Sequence, residues 1–217
     1  MSATGAERAE EVALLEQAIA GSREAFDQLL AGHRERLRRM ISFRIDRQLQ
    51  GRLDASDVLQ EAFLEAFERF DDYVKTRKTT FFLWLRFLTR QRLVTLHRQH
   101  LGTRARDPRR EVALGNGALE PLVTSASLAA ALLGTLTSPS QAALRAELKA
   151  EVQAALNRLE PIDREVLALR HFEQLSNAEV AVELQITKAA ASKRYIRAAE
   201  RLGSVLVSIR KAGLGSR

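Results

Sequence analysis

The chain has 217 residues, 46% hydrophobic and only 6% aromatic, enough to bury one large or two small cores; four prolines and eleven glycines supply too little turn chemistry for an all-β fold. A formal charge of +7 points to a polyanionic partner, either nucleic acid or an anionic membrane surface. The absence of cysteine excludes disulfides, thiolate zinc sites and cysteine nucleophiles, and suits a reducing cytoplasm; the longest apolar run, 128–136, falls far short of the roughly 20 residues that span a bilayer, so no membrane insertion is expected.

Alanine, leucine, arginine and glutamate dominate, and their spacing predicts an all-α protein. Two helical blocks, 1–101 and 138–211, are joined by a linker over 102–137. The N-terminus carries Glu7, Glu10, Glu11 and Glu16 and no apolar stretch, which argues against a secretory leader. A first helix follows Val12, Leu15 and Ile19. Ser22 then caps a second, with Phe26, Leu29, Leu30, Leu37 and Ile41 on one face. Asp54, followed by Asp57, marks the start of a third helix over about 55–70, its core face expected through Leu59, Phe63, Ala66 and Phe70. A fourth, over about 80–100, carries Leu83, Phe87, Leu93 and Leu96. The linker holds Pro108, Gly115, Gly117 and Pro121, with a short helix expected near 128–133. Ser138, Pro139 and Gln141 form a start signal for the next helix, which runs to about Leu159. Pro161 opens another helix, bearing Val166, Leu167 and Leu169. Ser176 and Glu179 make an S-x-x-E capping box before Val180, Ala181 and Leu184; a short turn leads into a basic final helix, so that 176–202 reads as a helix-turn-helix.

The charges are sorted along the chain. The third helix and its end hold Asp54, Asp57, Glu61, Glu65, Glu68, Asp71 and Asp72 against Arg69 alone. Asp57, Glu61, Leu64, Glu65 and Glu68 lie opposite its core face, an acidic stripe with an exposed leucine that suits docking on a basic protein surface. The next stretch is basic, with Lys75, Arg77, Lys78, Arg86, Arg90, Arg92 and Arg98 interleaved with Phe81, Phe82, Trp84 and Phe87. Cations neutralise phosphates, and aromatic faces can stack on unpaired bases. The final helix carries Lys188, Lys193, Arg194, Arg197 and Arg201 against Glu200, fitting a helix laid in a major groove.

Two segments carry a family resemblance. Asp57-Val58-Leu59-Gln60-Glu61-Ala62-Phe63 resembles the signature of region two of bacterial sigma factors. Residues 159–202, including Arg164-Glu165-Val166-Leu167-Ala168-Leu169-Arg170 and Leu175-Ser176-Asn177-Ala178-Glu179-Val180-Ala181, resemble region four. Two such domains without an intervening region three resemble the extracytoplasmic-function (ECF) type of the sigma-70 family. The resemblance implies a cytoplasmic transcription initiation factor that binds core RNA polymerase and promoter DNA, assists strand opening, and needs neither cofactor nor metal. It implies that Asp57, Gln60, Glu61 and Glu65, with Leu64 among them, bind the clamp helices of the largest polymerase subunit. Arg86, Arg90, Arg92 and Arg98, with Trp84, would engage the minus-ten element. The loop 72–80, with Lys75, Arg77 and Lys78, would hold a flipped base. The last helix would read the minus-thirty-five element through Lys188, Ser192, Lys193, Arg194 and Arg197. An anti-sigma factor is a further partner left open, and the linker leaves room for such a contact. The match departs from the family at Gln185, where glycine is usual in the turn, and at Ala191, where a bulkier apolar residue is usual.

Two other functions are compatible with parts of the sequence. A conventional helix-turn-helix regulator acting without polymerase accounts for the C-terminal block but not for an acidic helix followed by a basic aromatic one. A nucleic-acid enzyme would need converging carboxylates or a histidine-centred site, whereas His33, His97, His100 and His171 are scattered.

Overall fold

The computed structural model describes residues 5–45, 54–101, 123–134 and 142–214, and every regular element among them is helical. The chain divides into two compact units, 1–113 and 114–217. No helix among the described residues is long and apolar enough to cross a membrane.

The first unit contains α1 (Gly5–Ile19), α2 (Arg23–Arg44), α3 (Ala55–Glu68), α4 (Phe70–Thr76) and α5 (Phe81–Leu101). Gly21, at φ 98°, turns the chain out of α1, a conformation that costs glycine little. Ser22 then accepts a hydrogen bond from the Ala25 N–H at 3.2 Å and starts α2. Asp54 caps α3 by accepting from the Ser56 N–H at 2.8 Å. Helices α2, α3 and α5 pack on one another and bury Phe26, Leu29, Leu37, Ile41, Leu59, Leu85, Leu88 and Leu93.

Three expected faces shift. The core face of α3 runs through Val58, Leu59, Ala62 and Ala66, while Phe63 and Phe70 are only half-buried. Both α2 and α5 press on α3, so its inward face is set between two neighbours, where the small alanines fit. In α1, Ala18 is buried and Leu14 and Leu15 half-buried, leaving Val12 exposed. Phe87 stands out of the α5 core face, 40% exposed. The loop expected over 72–80 is half helix, because α4 continues to Thr76 and only 77–80 remain outside a helix. Tyr73 is buried there, and its hydroxyl donates to the Thr79 carbonyl at 3.3 Å, tying the end of α4 to the start of α5.

The second unit contains α6 (Ser125–Gly134), α7 (Ala142–Asn157), α8 (Pro161–Leu167), a π-helical turn (Ala168–Phe172), α9 (Asn177–Glu183) and α10 (Lys188–Leu214). Helix α6 is longer than expected, and it packs on α7. Thr124 and Ser127 cap it reciprocally, each backbone N–H donating to the other's hydroxyl at 3.2 and 3.1 Å. The start signal at Ser138, Pro139 and Gln141 lies outside the described residues, as does most of the linker. Pro161 occupies the first turn of α8 as expected. Val166, Leu167, Leu169, Leu175, Val180, Ala191 and Ala198 are buried.

The capping box on α9 is complete. The Glu179 N–H donates to Ser176 Oγ at 3.2 Å, and the Ser176 N–H donates to Glu179 Oε2 at 2.7 Å. Between α9 and α10, Gln185 adopts φ 53°, the left-handed conformation for which glycine is best suited. A left-handed non-glycine residue costs about 1–2 kcal/mol, and glycine's greater freedom in the unfolded chain returns part of that. Gln185→Gly is therefore expected to stabilise the second unit by about 0.5 kcal/mol in denaturant titration. A destabilised variant would mean that the Gln185 side chain contributes more than its backbone strain costs.

Candidate nucleic-acid interface and acidic docking face

Helix α3 presents Asp57, Gln60, Leu64 and Phe67 outward at helical spacing, with Glu68 beside them. Leu64 is 60% exposed and Phe67 53%. Phe67 is absent from the face expected from the charge pattern and Leu64; its helical phase with Leu64 is the signal that marks it. The Arg23 guanidinium stands 5.2 Å from the Phe67 ring centroid. Two expected members of the acidic face are otherwise engaged. Glu61 forms an ion pair with Arg92 of α5, and that hydrogen bond is the main reason the Arg92 pKa is raised. Glu65 accepts from Arg69 Nη1 at 2.8 Å. Glu61 and Arg92, assigned by resemblance to two different macromolecules, thus hold α3 to α5.

The basic candidates of α5 also change character. Arg86 is fully buried and Arg90 nearly so, which corrects their placement on a DNA-facing surface: their guanidinium groups belong to the interior. Arg92 is half-buried against Glu61. The Arg98 side chain lies outside the described residues. Trp84 is half-buried, with one face stacked on Tyr73 at 4.7 Å between centroids. Lys75, Arg77 and Lys78 are exposed, as the resemblance requires of groups that hold phosphate. They cluster where α4 ends, and Arg77 takes the left-handed conformation, φ 37°, that turns the chain away. Lysine in the last turn is favoured there by the negative end of the helix dipole.

In the helix-turn-helix, Lys188, Ser192, Lys193 and Arg197 are exposed along α10. The Asn177 amide donates to the Lys188 carbonyl at 2.9 Å, bracing the start of α10 against α9. Arg194 is different. Its Nη1 donates to Asp163 Oδ1 at 2.7 Å and to Glu160 Oε2 at 2.9 Å. The Asp163 side chain is 4% exposed and that of Arg194 26%. These two hydrogen bonds, to Asp163 first, raise the Arg194 pKa, and the bond from Arg194 holds the Glu160 carboxyl below its usual range. Arg194 therefore fastens α10 to α8. The neighbouring Tyr195 hydroxyl lies 3.1 Å from His171 Nε2, which ties α10 to the π-helical turn that follows α8. Ile196, uncharged and so outside the expected set of contacts, is 51% exposed on the basic face. Among the described residues, no three histidine or carboxylate side chains come together as metal ligands.

Residues 149–202 match the family model for sigma-70, region 4. The chain is 26% identical over 201 residues to the RNA polymerase sigma-H factor of Pseudomonas aeruginosa, an alignment that covers 89% of this chain and 92% of that protein. The structure of CnrH in complex with the cytosolic domain of CnrY matches with a TM-score of 0.53 at 24% identity, covering 92% of this chain and 98% of that one. The sigma factor RpoE in complex with the anti-sigma factor NepR from Bartonella quintana matches with a TM-score of 0.48 at 19% identity, covering 83% and 96%. The C-terminal helices thus match sigma-70 region 4, and the chain over most of its length is similar to a sigma factor and shares the all-helical fold of CnrH.

Proposed function

We propose that this chain binds core RNA polymerase through the outer face of α3 and directs it to promoters read by α10. The observation that carries the proposal is the stripe Asp57, Gln60 and Leu64, in which a leucine left 60% exposed is set among acidic and polar groups. An apolar anchor with a charged surround is the form of a protein-binding face: the anchor supplies affinity and the charges supply orientation. Glu61 and Glu65 lie at the edge of this face and stiffen it through Arg92 and Arg69. In the same proposal, residues 1–101 also carry minus-ten recognition. Lys75, Arg77 and Lys78 hold the backbone of the opened strand, and Trp84 offers a nearby aromatic edge. Unstacking a base costs a few kcal/mol, which phosphate contacts and stacking must offset. Residues 138–211 carry minus-thirty-five recognition, through Lys188, Ser192, Lys193 and Arg197. The structurally similar CnrH was solved with another protein, the cytosolic domain of CnrY, and the proposal includes an anti-sigma protein as a further partner of this chain.

Run-off transcription on a genomic library tests the reading. Discrete start sites are expected only when this chain and core polymerase are both present. Tight binding of the same sites by the chain alone, unchanged by core enzyme, would identify a conventional regulator instead.

A further inference from the structure

The geometry points to Ile196 as a reader of thymine: we propose that its side chain packs on the C5-methyl group of one thymine in the upstream promoter element. This rests on α10 being the promoter-reading helix, and it assigns a specificity to a residue that neither charge nor hydrogen-bonding capacity would have selected.

Three observations support it. First, Ile196 is 51% exposed, while the inward face of α10 is filled by Ala191, Ala198 and Leu202. The core of the second unit does not need it. Second, its exposed neighbours on the helix surface are polar or charged, two of them cations and one, Glu200, an anion. Ser192 and Lys193 lie one turn before it and Glu200 one turn after, with Arg197 adjacent, and all four are exposed. Lysine and arginine on either side can hold phosphates, which brings the intervening position close to the groove floor. Third, isoleucine has no donor or acceptor, so it cannot recognise the polar edges of guanine, adenine or cytosine. The thymine methyl is the apolar group that a base pair displays in the major groove. A protein surface is the other possible occupant, and the test separates the two.

The experiment uses holoenzyme, formed from the full chain and core polymerase, on a promoter recovered by run-off transcription. Each thymine of the upstream element is replaced singly by deoxyuridine, which removes the methyl group and nothing else. Native holoenzyme is expected to lose about fourfold in affinity at one position, the ~0.8 kcal/mol of one buried methyl group. Ile196→Ala should bind the thymine promoter about fourfold more weakly and lose nothing further when that thymine becomes uracil. Because Ile196 is half exposed, its melting temperature should stay at the parental value. Uracil sensitivity undiminished in Ile196→Ala at every position overturns the proposal. So does a loss of core-polymerase binding by Ile196→Ala in the absence of DNA, which would put Ile196 against protein. Failure to recover any promoter with core enzyme is a separate result: it would overturn the proposed function, and this inference with it.

Discussion

Asp57→Lys combined with Leu64→Arg is expected to reduce affinity for core RNA polymerase by about 100-fold, without loss of helicity or melting temperature. The estimate combines roughly 1–2 kcal/mol for losing a central apolar anchor with a similar amount for reversing a complementary charge, ~3 kcal/mol in all. Both side chains are exposed on α3, so neither change disturbs the core beneath, at Leu59, Ala62 and Ala66. Glu61→Lys is a poorer probe of the same face, although the charge pattern would have selected it. It breaks the ion pair with Arg92 and sets two cations together between α3 and α5. Both partners are partly solvated, at 42% and 34% exposure, so the stability cost is modest, about 0.5–1 kcal/mol. That cost falls on the fold as well as on binding, and the two cannot be separated in one variant. Unchanged co-elution of the Asp57→Lys/Leu64→Arg protein with core enzyme would remove α3 from the polymerase interface.

Arg194→Ala is expected to destabilise the second unit by about 2–3 kcal/mol. Breaking a fully buried ion pair costs roughly 3–5 kcal/mol, because one charge is left uncompensated. Here Asp163 is 4% exposed but Arg194 is 26% exposed, which reduces the figure. For a unit of about 100 residues, the corresponding fall in melting temperature is on the order of 10–20 °C. Asp163→Ala/Arg194→Ala should be markedly less unstable than the sum of the two single changes, since no buried charge is then left alone. Lys193→Ala, one position earlier and exposed, should weaken DNA binding while leaving the melting curve in place. If Arg194→Ala instead melts like the parent and loses discrimination at a single base pair, then Arg194 is a base contact after all, as the resemblance first implied.

These two residues mark where the sequence is informative and where it is not. Lys193 and Arg194 are adjacent cations on one helix, and no local pattern distinguishes them. Their roles part because Asp163 and Glu160, thirty-one and thirty-four residues earlier, lie within reach of one and not of the other. Arg86 and Arg90 make the same point in the first unit. A row of arginines among aromatics reads as a nucleic-acid surface, yet two of them are buried in the packed unit.

By itself the sequence determined whatever depends on spacing within a few residues. This includes the caps at Ser22, Asp54 and Ser176, the proline start of α8, the strained turn at Gln185, and the sorting of acid into α3 and base into α10. These follow from helix geometry and backbone hydrogen bonding, which are local. Only the tertiary structure decided which charges are free. Asp57, Lys188 and Lys193 face solvent, whereas Glu61, Arg86, Arg90, Arg92 and Arg194 are buried or paired within the protein. The reason is physical: a helix has one phase but several neighbours, and burial is set by where those neighbours pack, which no local spacing records.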